Sequence, residues 1–138
     1  MILYPRIWIA AHGGPKTVAM SSDTPPAILW FLTKSPINMV RVDVALNPST
    51  PKEALHDLVS DKESMVQAAV AQNIRTDPAD LAVLAQSKST TVRVRTAENS
   101  RTPADMLLQL QGDGEFLVRR TAATTIRQLR RRGLWNAE

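Results

Sequence analysis

The residue types that most often carry catalysis or bind metals are scarce in this chain of 138 residues. There is no Cys, which excludes thiolate metal sites, iron–sulfur clusters, disulfides and a Cys nucleophile. Neither His12 nor His56 has a second His or a carboxylate at the spacing of a metal-binding motif. The pair Gly13-Gly14 lacks the remaining residues of a phosphate-binding loop. We therefore predict no catalytic residue, no metal site and no cofactor, and we expect that the protein is not an enzyme.

Arginine residues are concentrated in the C-terminal segment of the chain. Residues 118–138 hold six basic side chains and one acidic one, whereas residues 1–117 hold 11 and 12. The candidate basic patch consists of Arg95, Arg120, Arg127, Arg130, Arg131 and Arg132. Such a patch would attract nucleic acid or an acidic protein, but it has no interleaved aromatic residues to stack on bases. The simpler interpretation is the solvated face of a helix, and we keep both.

A pattern of 26 residues recurs along the chain without insertion or deletion, and it must position these side chains. The recurring columns are Val40, Val66, Val92 and Val118; Ala45, Ala71, Ala97 and Ala123; Asn47, Asn73 and Asn99; Thr50, Thr76 and Thr102; and Leu55, Leu81 and Leu107. Four units begin at residues 14, 40, 66 and 92, the first of them degenerate. A fixed period of this length indicates units that share one core by stacking.

Each unit is predicted to contain two helices. The first places Val40 and Val44 on one face and should end at Asn47, a residue type that tolerates the left-handed conformation of a helix terminus. Thr50-Pro51 then predicts the start of the second helix, with the Thr hydroxyl as N-cap. Neither helix is long enough to bury its apolar face alone, so the fold class is all-α, a short α-solenoid with terminal caps.

The Asn column, Asn47, Asn73 and Asn99, has two interpretations. The three amides could form a ligand-binding ladder, or each could bond the main-chain groups that a helix end leaves free. We favour the structural interpretation.

The Arg column contains Arg41, Arg93 and Arg119 and is interrupted by Gln67. The column has two interpretations. It could be a basic track that binds phosphates or an acidic partner. It could instead form a structural ladder with Asp61 and Asp113, which lie six residues before Gln67 and Arg119. Only Asp113 and Arg119 provide both members at that spacing, so the partner of Asp61 would be an Arg of a neighbouring repeat, such as Arg41 or Arg93. We favour the ladder, because bidentate Arg–carboxylate pairs suit a partly buried joint.

The two ends of the chain have the composition expected of caps. The aromatic residues are Tyr4, Trp8, Trp30, Phe31, Phe116 and Trp135, all of them outside the middle units. We predict that residues 1–13 form an N-terminal cap, and that Trp8, Trp30 and Phe31 form a partner or homo-oligomer contact where they stay exposed. Residues 118–138 should form an Arg-rich capping helix and tail, whose apolar stripe includes Val118 and Ile126.

These residues resemble a known family. The pattern V-R-x-x-V-A-x-N-P-x-T-P-x-x-x-L-x-x-L, quoted from Val40 to Leu58 and repeated in the later units, is similar to the leucine-rich repeat variant, a relative of HEAT-like repeats. The resemblance covers about residues 14–123 and implies a curved stack of short helices. That family has no common catalytic activity, so the resemblance implies a fold and no reaction.

The sequence therefore predicts one repeat domain over residues 1–138, with a non-catalytic function in protein–protein interaction. The alternative is a nucleic-acid-binding protein that uses the Arg-rich C-terminal helix. A DNA glycosylase of the HEAT-like type is disfavoured, since no aromatic pocket near a carboxylate is evident. No apolar stretch approaches the roughly 20 residues of a membrane span, so we expect a cytoplasmic protein.

Overall fold

The computed structural model describes residues 4–136, and within that range it contains ten α-helices and no strand. The helices are α1 (Pro5–Ala11), α2 (Gly14–Met20), α3 (Pro26–Leu32), α4 (Asn38–Leu46), α5 (Lys52–Leu58), α6 (Ser64–Gln72), α7 (Pro78–Leu84), α8 (Thr90–Glu98), α9 (Ala104–Gln111) and α10 (Phe116–Arg131). The predicted all-α class is confirmed.

The helices lie in two rows. Helices α2, α4, α6, α8 and α10 form the first row, in which each helix packs on the next. Helices α3, α5, α7 and α9 form the second row, and they pack chiefly on the first-row helices that precede and follow them in the chain. The first row is therefore the more closely packed of the two.

The core lies between the rows and is built from the repeated apolar columns. Each middle helix of the first row buries a Val and an Ala of the repeat, such as Val66 and Ala71 in α6. Each helix of the second row buries two Leu residues three positions apart, such as Leu81 and Leu84 in α7. Because one helix offers only one apolar stripe, burial of these columns requires the neighbouring helices of both rows.

Two local predictions for the helix ends are wrong. Asn47 has φ −68° and ψ 124°, which is extended and not left-handed, because its side chain is drawn into bonds with the preceding unit. Thr50 does not cap α5, whose N-cap residue is Pro51. The Thr50 hydroxyl instead donates to the carbonyl oxygen of Val44 at 2.6 Å, so it satisfies the end of the previous helix.

The same backward bond recurs in the other units. The hydroxyls of Thr24, Thr76 and Thr102 each donate at 2.6 Å to the carbonyl oxygen six residues earlier. The Thr column thus closes the C-terminal end of each first-row helix from α2 to α8 and leaves the start of the second-row helix to proline or Asp.

Helix α10 follows α8 in the first row and also packs on α9. Its predicted stripe is buried, since Val118, Ala122, Ile126 and Leu129 are each at most 7% exposed. Thr125 stands in the Asn column and donates its hydroxyl to the carbonyl oxygen of Ala97 at 2.6 Å. Beyond the helix, φ of Gly133 is 68°, a left-handed conformation that favours glycine.

Candidate functional site

The Asn column is fully engaged with main-chain groups. The Asn47 amide nitrogen donates to the carbonyl oxygens of Ala19 at 2.7 Å and Ser21 at 2.8 Å, and its oxygen accepts from the Ser49 amide at 2.9 Å. Asn73 and Asn99 repeat these three bonds one and two units later. Since all three Asn residues are buried and both ends of each amide are used, the column offers no group to a ligand.

Two members of the Arg column pair with carboxylates 20 residues later, each in the loop that leads to the next first-row helix. Arg41 donates to Asp61 at 2.8 and 3.3 Å and to the Ser35 carbonyl oxygen at 2.7 Å. Arg93 pairs with Asp113 in the same way, at 2.8 and 3.2 Å. The hydrogen bond from Arg93 lowers the pKa of Asp113 below its ordinary value, and partial burial of the carboxyl only opposes this.

Asp113 therefore pairs with an Arg 20 residues earlier and not with Arg119, the Arg six residues later. Arg119 donates to the main-chain oxygens of Asp113 and Gly114, at 2.8 and 2.9 Å, and lies over the ring of Phe116. Gln67, which interrupts the column, makes the equivalent main-chain bond to the Asp61 carbonyl oxygen at 2.7 Å. With Arg41 and Arg93 committed to carboxylates, the column is not a free basic track.

The two histidines lie in different parts of the chain, and each contacts a different partner. The imidazole of His12 bonds the Trp8 carbonyl oxygen at 2.8 Å and stacks on the Trp8 ring, with 3.8 Å between ring centroids. His56 bonds the buried carboxylate of Asp80 at 2.7 Å. That hydrogen bond, together with the charge of Asp80, raises the pKa of His56 above its ordinary value.

The His56–Asp80 pair was not anticipated from the sequence. The two residues are 24 positions apart, so the repeat period alone does not align them. The available signal was the position of Asp80 in the first turn of α7, since α7 is the second-row helix that follows α5. In the part of the chain that the structure describes, no three His, Asp or Glu side chains converge to hold a metal ion.

The candidate basic patch is only partly unpaired. Arg120, Arg127, Arg130, Arg131 and Arg132 are exposed on α10 and at its end. Arg130 lies over the Trp135 ring, 5.4 Å from its centroid. Arg95, by contrast, lies on α8 and forms a 2.9 Å ion pair with Glu98, which neutralises much of its charge.

The N-terminal aromatic residues divide into two groups. Trp8 packs against the core as well as on His12. Trp30 and Phe31, neighbours on α3, remain 41% and 36% exposed. Of the three residues predicted as a partner contact, these two present the larger free surface.

An exposed apolar row on the first-row helices escaped the sequence analysis. It consists of Met20, Met39, Leu46, Met65 and Leu117, each between 46% and 61% exposed. Met39 and Met65 are 26 residues apart, and Leu117 stands in the same column. This spacing was the available signal, but the sequence analysis did not identify this column among the repeated positions. Asp43 lies between Met39 and Leu46 on α4, and its buried Oδ2 has no hydrogen-bond partner among the described residues.

Residues 4–136 include no helix that is long and apolar enough to cross a membrane. Comparison with protein-family models, with curated proteins and with solved structures gives no match for this chain. The likeness to leucine-rich repeat variant proteins therefore stays a prediction that rests on the repeated residues themselves.

Proposed function

We propose that this chain is a short α-solenoid of four two-helix units over residues 14–117, capped at both ends, which binds a protein partner and does not catalyse a reaction. The Asn column supports the repeat architecture. Asn47, Asn73 and Asn99 each donate to carbonyl oxygens 26 and 28 residues earlier, so consecutive units meet in one register three times. This regularity is what a stack of equivalent units requires.

The exposed apolar row carries the proposal of protein binding. Side chains such as Met39 and Met65 gain nothing from exposure to water, and neighbouring exposed apolar groups are typical of surfaces that a partner covers. Methionine is also flexible and polarizable, which suits a surface that must adapt to a second protein. The row has members on α2, α4 and α6, is interrupted on α8 by Thr91, and resumes on α10. One partner segment lying across α2, α4 and α6 would therefore contact several units.

The charge within the row indicates the chemistry of that segment. The half-buried carboxylate of Asp43 has an oxygen without a hydrogen-bond partner among residues 4–136. A bound Lys or Arg side chain beside this carboxylate would compensate its negative charge, and apolar neighbours of that cation would cover Met39 and Leu46. The favoured partner is therefore an amphipathic segment with a basic residue set among apolar ones.

The experiment is quantitative affinity capture from a lysate of the native host. Wild-type protein is compared with Met39→Glu combined with Met65→Glu. The matched control combines Ile74→Glu with Val83→Glu, two exposed apolar positions away from the row. We expect a protein retained by wild type and control that falls about tenfold with the row variant. Retention that is equal on all three proteins would contradict the proposal.

The second candidate is nucleic-acid binding through α10. Arg120, Arg127 and Arg131 are exposed and form no ion pair with the described residues, which leaves their charge available to phosphates. A nuclease-treated arm of the same capture and a salt titration of DNA and RNA binding separate this candidate. If it holds, Arg127→Ala with Arg131→Ala reduces the slope of log affinity against log salt by about 2.

A further inference from the structure

Each first-row helix from α2 to α8 meets the loop that leads to the next first-row helix at a joint. The joint is formed by the Arg-column residue and the residue 20 positions later. At two joints the guanidinium of Arg41 or Arg93 fills the space and pairs with Asp61 or Asp113. The side chains of Arg41 and Asp61 are both only 9% exposed, so the pair closes the joint to solvent.

The two remaining joints of this kind lack the pair. In one of them Pro15 and Ser35 stand where an Arg and an Asp would be, and in the other Gln67 and Ser87 do. A groove of about 510 Å³ lies at the first of these joints and one of about 540 Å³ at the second. The sequence thus leaves an opening wherever the Arg–Asp pair is missing. Proline is too short to reach across, and Gln67 stops at the Asp61 carbonyl oxygen.

The groove at the Pro15 joint, which we call the N-terminal groove, has an apolar floor and a basic mouth. Its apolar lining comprises Ile9, Ala10, Pro15, Phe31, Leu32 and Pro36. The charged groups that line it are Arg6 and Lys34, and no carboxylate does. Arg6 forms no ion pair with residues 4–136, and Lys34 is held only at 3.6 Å by Asp57 while its side chain stays 72% exposed.

We propose that the N-terminal groove binds a small amphiphilic carboxylate, with its hydrocarbon chain on the apolar floor and its carboxylate at Arg6 and Lys34. The volume lies within the range of small-molecule sites, and the two cations would repel a basic ligand. An extended partner segment fits less well, because the Arg41–Asp61 pair closes the next joint and the groove does not continue into it. The site is separate from the apolar row, since the two share no residue.

The groove at the Gln67 joint supplies an internal comparison. It is lined by Val59, Val83 and Leu84 together with polar residues that include Ser64, Ser87, Ser89, Lys62 and Lys88. It offers cations but less apolar floor. An amphiphile should therefore prefer the N-terminal groove, whereas a small anion without a hydrocarbon chain would show no such preference.

The test is titration of the full-length protein with decanoate below its micellar concentration, followed by amide chemical shifts in NMR spectra. We expect saturable shifts confined to the N-terminal groove, with acetate and decyltrimethylammonium binding at least about tenfold more weakly. Ala10→Trp, which fills the groove from an exposed position, and Arg6→Glu should each weaken decanoate binding about tenfold. Lys52→Glu makes the same charge change on α5, outside the groove, and should leave binding unchanged.

Three outcomes would overturn the assignment. Shifts spread over both grooves would mean that charge alone attracts the ligand. Equal affinity for decyltrimethylammonium would mean that the apolar floor acts without the two cations. Tighter binding of a peptide that alternates Glu with Phe or Leu, in competition with decanoate, would show that the groove holds a protein segment.

Discussion

Each buried Asn side chain donates hydrogen bonds to main-chain carbonyl oxygens of the preceding unit. Asn73 donates to Ala45 and Asn47 and accepts from the amide of Arg75. The sequence indicated that such an Asn would satisfy main-chain groups near a helix end. It did not reveal that the groups belong to the preceding unit, because the direction of a side chain across a unit boundary is not encoded in the spacing.

Replacement of Asn73 by Ala should destabilise the protein by about 2–4 kcal/mol, because it leaves the buried carbonyl oxygen of Ala45 and the amide of Arg75 without partners. The Asn47 carbonyl oxygen loses one bond and keeps its bond from the Thr50 amide. Asn73→Asp should cost at least as much, since it sets a carboxylate oxygen against those carbonyl oxygens. Urea unfolding measures both values. Ile74→Ala, at a neighbouring position that is 72% exposed, serves as control and should change stability by less than about 0.5 kcal/mol. A loss for Asn73→Ala as small as that of the control would contradict the bonding scheme.

At the scale of helices and loops, the joints differ although the units are alike. The 26-residue period places Arg41, Gln67 and Arg93 in equivalent positions, and the residues opposite them are Asp61, Ser87 and Asp113. The pairing of Arg41 with Asp61 and of Arg93 with Asp113 follows from this arrangement only once the packing of the first row is known. From the sequence alone, the Asp six residues ahead of an Arg was an equally reasonable partner.

The open middle joint can be closed by design. Gln67→Arg together with Ser87→Asp should recreate the arrangement of Arg41 and Asp61, and we expect a gain of about 1 kcal/mol, or roughly 3 °C in Tm. Each single variant lacks its partner and should give no gain. Thermal unfolding of the wild type, both single variants and the double variant forms the necessary cycle. A double variant no more stable than the sum of the single changes would show that the joint does not accept the pair.

At the scale of the whole molecule, charge is separated along the chain. The net charge of +4 arises from the C-terminal segment, where α10 buries its apolar stripe and exposes its arginines. Two titratable groups, Asp113 and His56, pair with side chains 20 and 24 positions away, and their pKa values are shifted in opposite directions. Arg93 lowers the pKa of Asp113, and Asp80 raises the pKa of His56.

These shifts predict how stability depends on pH. The contribution of Asp113 to the free energy of unfolding is present above the ordinary Asp pKa of about 4. It is lost as pH falls through the lower pKa that Asp113 has in the folded protein. The contribution of His56 to the free energy of unfolding is present below about pH 6.5. It is lost as pH rises through the higher pKa that His56 has in the folded protein. Asp113→Asn should therefore lose most stability at neutral pH, and His56→Gln should lose most in mild acid. Urea unfolding at about pH 3, 6 and 9 measures both, and losses that do not vary with pH would contradict the two assignments.

The sequence by itself determined the helical class, the 26-residue period and the apolar columns, because residues that occupy equivalent environments repeat at a fixed spacing. The apolar stripe that it predicted for the C-terminal helix is buried in α10, which begins at Phe116, since such a stripe follows from the geometry of one helix. Only the tertiary structure decided which polar groups meet, such as Arg93 with Asp113 and the Thr50 hydroxyl with the preceding helix. It alone showed that Met39 and Met65 are exposed and that the Pro15 joint is open. Those features depend on how one unit is displaced against the next, a distance that no residue pattern within a unit expresses.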